Sequence, residues 1–109
     1  MILHFGEEAE AELLAAAEWY EERGHEGLGE RLVARVGDAV GRIVAFPGSF
    51  LVLFEERGVI VRRVLVNGFP YQVVYGEVPG PHGAELWVFA VAHLRREPGY
   101  WRGRVRRSH

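Results

Sequence analysis

The chain has 109 residues, 49% of them hydrophobic, and a formal net charge of −2. A chain of this length can bury one core without a metal or disulfides, so we expect a single domain over residues 1–109. Because the sequence has no cysteine, a disulfide framework, a thiolate metal site and a cysteine nucleophile are all excluded.

The small net charge hides a strong asymmetry between the two halves of the chain. Residues 1–58 contain twelve acidic and five basic residues, a net charge of −7. Residues 59–109 contain three acidic and eight basic residues, a net charge of +5, and six of these eight arginines lie in a basic C-terminal segment, residues 94–109. This charge suits phosphates and an acidic protein partner equally well.

Nothing at the start of the chain predicts export. Residues 1–8 contain no lysine or arginine and only a short apolar run, unlike a signal peptide, and no run approaches the length of a membrane span. All thirteen basic residues are arginine, a bias that hints at a bacterial source. We therefore expect a cytoplasmic bacterial protein with no membrane partner.

The first half of the chain predicts a short strand followed by two helices. Residues 2–5 are apolar and form the strand. Residues 7–23 place apolar side chains at three- and four-residue spacing, and residues 28–45 do the same. Glycine or proline follows each helix, and the short connection between them predicts an antiparallel hairpin.

Two features of these helices lead to further expectations. The acidic face of the first helix, which carries Glu8, Glu12 and Glu22, is expected to be solvated. Gly37 and Gly41 lie four residues apart in the second helix, a spacing that favours close packing against the sheet.

The second half of the chain predicts an antiparallel sheet. Four stretches rich in apolar and β-branched residues are separated by turn residues, among which Asn67-Gly68 is the strongest hairpin signal. The predicted strands are Phe50–Phe54, Val59–Val66, Phe69–Val78 and Ala84–His93. The fold class is therefore α+β: a small twisted antiparallel sheet in β-α-α-β-β-β order, a meander of three or four strands, with the helix hairpin packed on one face.

His93 is the strongest candidate for chemistry because it ends an apolar strand. Its pKa near neutrality suits a general acid or base, and Arg95 and Arg96 beside it suit a phosphate or a developing negative charge. The alternative is a strand-end histidine hydrogen-bonded to the backbone. Tyr100 and Trp101 follow closely and favour a functional role.

Arg62 and Arg63 interrupt an otherwise apolar strand. Neighbours on a strand point to opposite faces, so one of the two arginines is expected on the face that the helices leave open, and the sequence does not say which. Gln72 lies on the next strand. The C-terminal arginines are interleaved with Trp101, a composition that suits a nucleic-acid backbone with base stacking or an acidic peptide; they are Arg102, Arg104, Arg106 and Arg107.

Metal and serine chemistry have no support in the sequence. The five histidines show no ligand spacing, so we expect no metal and no cofactor; they are His4, His25, His82, His93 and His109. Ser49 and Ser108 lack any nucleophile motif.

Three stretches of the chain resemble the RelE/ParE superfamily of bacterial type II toxins, which includes plasmid stabilisation proteins. They are AEAELLAAAEWYEE in the first helix, VRRVLVNGFPYQVVY in the hairpin and AVAHLRREPGYWRGR at the end. The last stretch carries the pattern His93, Arg96, Pro98, Tyr100, Trp101 and Arg104. The resemblance covers essentially the whole chain, and the family fold agrees with the fold predicted from the residues.

The resemblance implies a toxin neutralised by a cognate antitoxin protein that is encoded beside it. RelE-like members cleave mRNA on the ribosome, whereas ParE-like members block DNA gyrase. A cleaving member of this family needs cations on the phosphate and a group that moves protons. The catalytic candidates here are His93, Arg95, Arg96 and Tyr100, and the candidates for substrate or target binding are Arg62, Arg63, Gln72, Trp101 and Arg104.

Three hypotheses about function remain open at this point. The first is an mRNA endonuclease (mRNA interferase) with a His93 and arginine site. The second is a ParE-like toxin without enzymatic activity that binds DNA gyrase, or an inactive member that acts as a protein-binding module. The third is a stand-alone α+β module that dimerises through its sheet edge. A slightly acidic chain without lysine, with Gln72 where RelE has an arginine, departs from the ribosome-directed members. Both a homodimer and a toxin–antitoxin hetero-oligomer fit these hypotheses.

Overall fold

The structure, a computed structural model, describes residues 1–107 and contains five strands and three helices in that range. In chain order they are β1 (Leu3–Phe5), α1 (Glu7–Arg23), α2 (Leu28–Ala45), β2 (Leu51–Glu56), β3 (Val59–Leu65), β4 (Tyr71–Gly80), β5 (Gly83–His93) and α3 (Arg102–Arg107). The predicted α+β class and the helix hairpin are confirmed. The short helix α3 adds an element that the sequence pattern did not predict.

The five strands form one mixed sheet in the order β1-β5-β4-β3-β2. Strands β2 to β5 are an antiparallel meander, as predicted, whereas β1 joins β5 in parallel with Leu3 opposite Leu86. The helix hairpin and strands β2 to β4 lie between β1 and β5 along the chain, and this long connection allows the two strands to pair in parallel. The central strand is β4, which carries Gln72, and its neighbours β5 and β3 carry His93 and the two arginines Arg62 and Arg63.

Tight turns set the register of the meander. Arg57 and Gly58 connect β2 to β3 with φ angles of 51° and 83°, the left-handed conformation of a two-residue hairpin turn. The turn is shorter than predicted, so Glu55 and Glu56 belong to β2. Gly68, with φ of 79°, turns the next hairpin, and β4 then begins at Tyr71.

Helices α1 and α2 cover one face of the sheet and close the larger core. This core contains Leu32, Val36 and Ile43 of α2 against buried β4 and β5 side chains. The start of α2 is held by Glu21, whose carboxylate accepts the backbone N–H groups of Gly27, Gly29 and Glu30. All three hydrogen bonds lower the pKa of Glu21, and the one from the Gly27 N–H has the largest effect. A side chain of α1 thus replaces the missing side-chain cap of α2.

The glycines of α2 do not pack as the sequence suggested. A Cβ at Gly37 or Gly41 would meet open space, so the predicted close packing of these two residues against the sheet is wrong. Gly29 is the tight position, because a Cβ there would lie 2.3 Å from the carbonyl oxygen of Ala17 on α1. Glycine therefore allows the two helices to approach at the start of α2.

The opposite face of the sheet is covered in part by the C-terminal segment. Trp101 and Val105 are buried against Val59, Val74 and Phe89 in a second core. The basic segment thus folds back over the sheet, and α3 forms the second layer on a face that we expected to be open. The four-residue spacing of Trp101 and Val105 is the sequence signal for this helix.

Candidate functional site

The sequence-predicted residues lie on two faces of the sheet. Residues directly opposite each other in an antiparallel pair share a face. Tyr71 pairs with His93 and packs against the core beneath the helix hairpin, whereas Gln72 pairs with Ala92 in the core on the α3 side. His93 and Gln72 therefore belong to different surfaces, and the predicted residues do not form a single constellation.

His93 ends β5 on the α1 side of the sheet and is partly exposed. Its Nδ1 accepts the backbone N–H of Arg95 at 3.1 Å, and its ring meets the Tyr71 ring edge to face with centroids 5.1 Å apart. An accepting Nδ1 carries no proton, so this contact selects the tautomer with the proton on Nε2. The side chain of Arg95 itself is exposed.

A carboxylate that the sequence did not single out gathers most of the nearby cations. Glu12 of α1 accepts hydrogen bonds from the Tyr100 hydroxyl, from Arg104 at 2.8 and 3.2 Å, and from the backbone N–H of Val91 at 3.1 Å. Arg96 adds an ion pair at 3.6 Å. The side chains of Glu12 and Arg104 are only 15% and 16% exposed, so this is a largely desolvated cluster.

The cluster also fixes the rings and the last helix. The guanidinium of Arg96 lies over the Tyr100 ring at 3.9 Å, and that of Arg104 lies 5.1 Å from the same ring. Arg104 donates further to the carbonyl oxygen of Phe89 at 3.0 Å and pairs with Glu8 at 3.3 Å. The expectation of a solvated face is therefore wrong for Glu12, which is largely buried. Glu8 is 54% exposed, although it too binds arginines of the C-terminal segment.

Burial and the charge of Glu12 together shift the pKa values of Tyr100 and Arg104. Burial is the main cause that raises the pKa of Tyr100 to about 12, and its hydrogen bond to Glu12 acts in the same direction. Burial opposes the charge of Arg104, but the hydrogen bond and charge of Glu12 outweigh it and raise the arginine pKa. At neutral pH the tyrosine is therefore a protonated donor and the arginine a fixed cation.

The two strand arginines have different surroundings. Arg62 pairs with Tyr75 on the helix-hairpin side, donates to the carbonyl oxygen of Phe50 at 2.8 Å and lines a cavity of about 430 Å³. Arg63 pairs with Val74 on the α3 side and donates to Gln72 Oε1 at 3.3 Å. The register thus assigns Arg63, with Gln72, to the face opposite the helix hairpin.

Trp101 has a structural position. It is 4% exposed and stacks on Phe54 with ring centroids 5.3 Å apart. A ring buried in this way has no face to offer a nucleobase, so the structure gives Trp101 a packing role and leaves its predicted part in target binding without support. Arg102 instead covers the outer side of this pair, with its guanidinium 4.2 Å from the Phe54 ring centroid.

The arrangement suits binding better than proton transfer. Tyr100 is held protonated, and a phosphate placed on Arg96 and Arg104 would meet the negative charge of Glu12. Within residues 1–107 no three histidine, aspartate or glutamate side chains come together as metal ligands. None of the helices in the same range has both the length and the apolar character needed to cross a membrane. His109 and Ser108 lie outside the described residues.

Comparison with known proteins finds a similar solved structure. No family model matches the chain, and neither does any curated protein. Among solved structures, the chain is similar to a chain of "Chromosomal ParDE TA system from P. aeruginosa", with a TM-score of 0.69 and 21% sequence identity over 87% of this chain and 97% of that one. The two chains share a fold. The fold that the resemblance implied is therefore confirmed.

Proposed function

We propose that this protein is the toxin of a type II toxin–antitoxin pair and acts by binding a protein target without enzymatic activity. The shared fold with a chain of a ParDE toxin–antitoxin system supports the first part. DNA gyrase is the target that the ParE-like resemblance implies, and a cognate antitoxin is the implied partner. The expected place of action is the bacterial cytoplasm.

The observation that carries the choice between binding and RNA cleavage is the pairing of the cations with Glu12. Cleavage of a phosphodiester by a 2′-hydroxyl needs cations free to meet the phosphate and a group that accepts a proton. Arg96 and Arg104 already face a carboxylate, and Tyr100 stays protonated with a pKa near 12. Arg63 and Gln72, which a cleaving site would also use, lie on the other face.

The α3 side offers a surface of the kind that binds protein. Leu51 and Leu65 are 57% and 51% exposed and lie on the same face as Arg63 and Gln72, because Leu51 pairs with Arg63 and Leu65 pairs with Gln72. Exposed leucines beside an arginine are a typical interface composition. We call these four residues the Arg63 surface and assign target binding to it.

An mRNA endonuclease is the second candidate, and one observation favours it. His93 is partly exposed and lines the same groove as Arg96, so a proton-transfer group and a cation are close together. The same experiment therefore tests both candidates, because the endonuclease requires His93 and the binding protein does not.

The experiment is tightly induced expression of the chain in a bacterial host, with mapping of transcript ends and a gyrase supercoiling assay on purified protein. We expect growth arrest, intact transcripts and inhibited supercoiling. Arg63→Glu should relieve all of these effects, His93→Ala should leave them unchanged, and Arg35→Glu on the exposed side of α2 is the matched charge control. New transcript ends that vanish with His93→Ala would establish the endonuclease, and normal growth would overturn the toxin assignment.

A further inference from the structure

The cavity that Arg62 lines, about 430 Å³ in volume, lies on the helix-hairpin side of the sheet next to the end of α2. The connection from α2 to β2 forms one wall with Pro47 and Gly48, and the sheet forms the other. Glycines of the two nearby strand turns border it and have no side chain to fill it; they are Gly58, Gly80 and Gly83. The volume lies within the range of about 300–1,000 Å³ that is typical of pockets for small ligands.

Two hydrogen bonds join the walls of this cavity. The hydroxyl of Tyr75, whose side chain is buried in the sheet, donates to the carbonyl oxygen of Pro47. Arg62 donates to the carbonyl oxygen of Phe50 at 2.8 Å. Both bonds fix the connection from α2 to β2 against the sheet, so the cavity is formed before any ligand arrives. A preformed site loses little free energy to ordering when a ligand binds.

Two opposite charges line the cavity without pairing with each other. They are Arg62 and Glu77, and within residues 1–107 neither forms an ion pair. Arg62 lies opposite Tyr75, and Glu77 follows two residues later on the same face, so the two are diagonal neighbours about 7–8 Å apart. Burial raises the pKa of Tyr75, so its hydroxyl adds no charge at neutral pH.

The charged groups have capacity left for a ligand. The carbonyl oxygen of Phe50 is the one acceptor that the Arg62 side chain binds within residues 1–107, and a guanidinium has five N–H donors. A ligand with a single charge would be attracted by Arg62 or Glu77 and repelled by the other. A ligand that carries both charges close together satisfies both side chains.

We propose that this cavity binds a free α-amino acid with an apolar side chain. Its carboxylate accepts hydrogen bonds from Arg62, its ammonium group donates to Glu77, and its side chain contacts the apolar part of the lining, formed by Ile60, Pro79 and Ala84. One carbon atom joins the two charged groups of an α-amino acid, which suits charges on neighbouring strands. The site uses none of the residues assigned to target binding and does not depend on the toxin assignment.

The test is isothermal titration calorimetry of the purified full-length chain with L-leucine and L-phenylalanine as probes. We expect at least one of them to bind with a dissociation constant below about 1 mM. Glu77→Gln and Arg62→Gln should each raise that constant about tenfold or more. The analogue of the bound probe that lacks the amino group should bind at least about tenfold more weakly to the wild type, and Glu77→Gln should not weaken its binding further.

Two more variants complete the design. Ala84→Trp fills the cavity but keeps both charges, and it should abolish binding. Arg31→Gln, on the exposed side of α2, is the matched charge control and should bind within about twofold of the wild type. Arg62→Gln also loses the hydrogen bond to Phe50, so the exposed Glu77 and Ala84 give the decisive variants, whose thermal unfolding should match that of the wild type.

The proposal fails if the wild type binds neither probe. It also fails if a probe binds and neither Glu77→Gln nor Ala84→Trp weakens its binding, because the ligand then occupies another place. A loss in Arg31→Gln equal to that in Glu77→Gln would show a general effect of charge and would overturn the site as well. None of these outcomes bears on the toxin assignment, which the growth and supercoiling measurements test separately.

Discussion

Replacing Glu12 with alanine should destabilise the protein more than any other exchange of a carboxylate. The substitution removes the acceptor of Tyr100, Arg104 and the Val91 N–H, and it leaves the Arg104 guanidinium buried without its closest counter-charge. Breaking a buried pair by removing one partner costs about 3–5 kcal/mol. Both Glu12 and Arg104 are about 15% exposed, so solvent screens their interaction only weakly.

Urea unfolding at pH 7 measures this loss. With a denaturant slope typical of a small domain, a loss of that size lowers the urea midpoint by roughly 2 M. Glu8→Ala is the control, because Glu8 pairs with the same arginine at 3.3 Å but is 54% exposed, and it should cost less than about 1 kcal/mol. If Glu12→Ala lowers the free energy of unfolding no more than Glu8→Ala, the contacts of Glu12 do not stabilise the fold, and the reasoning that they hold Arg96 and Arg104 in place is refuted.

Four further substitutions test the remaining assignments. The pKa of Tyr100 is about 12 in the folded chain and near 10 when unfolded. The free energy of unfolding should therefore fall as pH rises from about 10 to about 12, and Tyr100→Phe should flatten that fall in pH-dependent urea unfolding. Gly37→Ala should raise the thermal midpoint by the equivalent of about 0.5–1 kcal/mol, whereas Gly29→Ala should lower it because of the 2.3 Å approach to α1. Trp101→Ala should cost about 3–5 kcal/mol in denaturant unfolding; a loss as small as that of Trp19→Ala, which removes a 51% exposed side chain, would contradict a core position.

Most of the fold follows from local patterns in the sequence. The two helices begin and end where the periodicity and the following glycine or proline place them, and four of the strands follow from apolar runs between turn signals. The parallel pairing of β1 was not predictable, because a three-residue strand carries no signal for its partner. Helix α3 was missed because its six residues are mostly arginine and glycine, and only the spacing of Trp101 and Val105 marks its buried side.

The site was less predictable than the fold because it depends on which residues meet across the sheet. His93, Arg96 and Tyr100 do lie near one another, as their short separation along the chain suggests. Glu12 is far away in sequence and looked like one of many surface acids, so its role required the tertiary structure. The division between Arg62 and Arg63 depends on strand register, which alternation alone leaves undecided.

The contacts of Glu12 also determine when, during synthesis of the chain, this part of the structure can form. They join residues that are 79 to 92 positions apart along the chain. At about 5–20 residues per second, a ribosome adds Arg104 roughly 5 to 20 seconds after Glu12. Throughout that interval Glu12 lacks the cation that it binds most closely, and the side of the sheet that α3 covers has no second layer. The contacts of Glu12 and the second layer of the sheet therefore form only after α3 has been made.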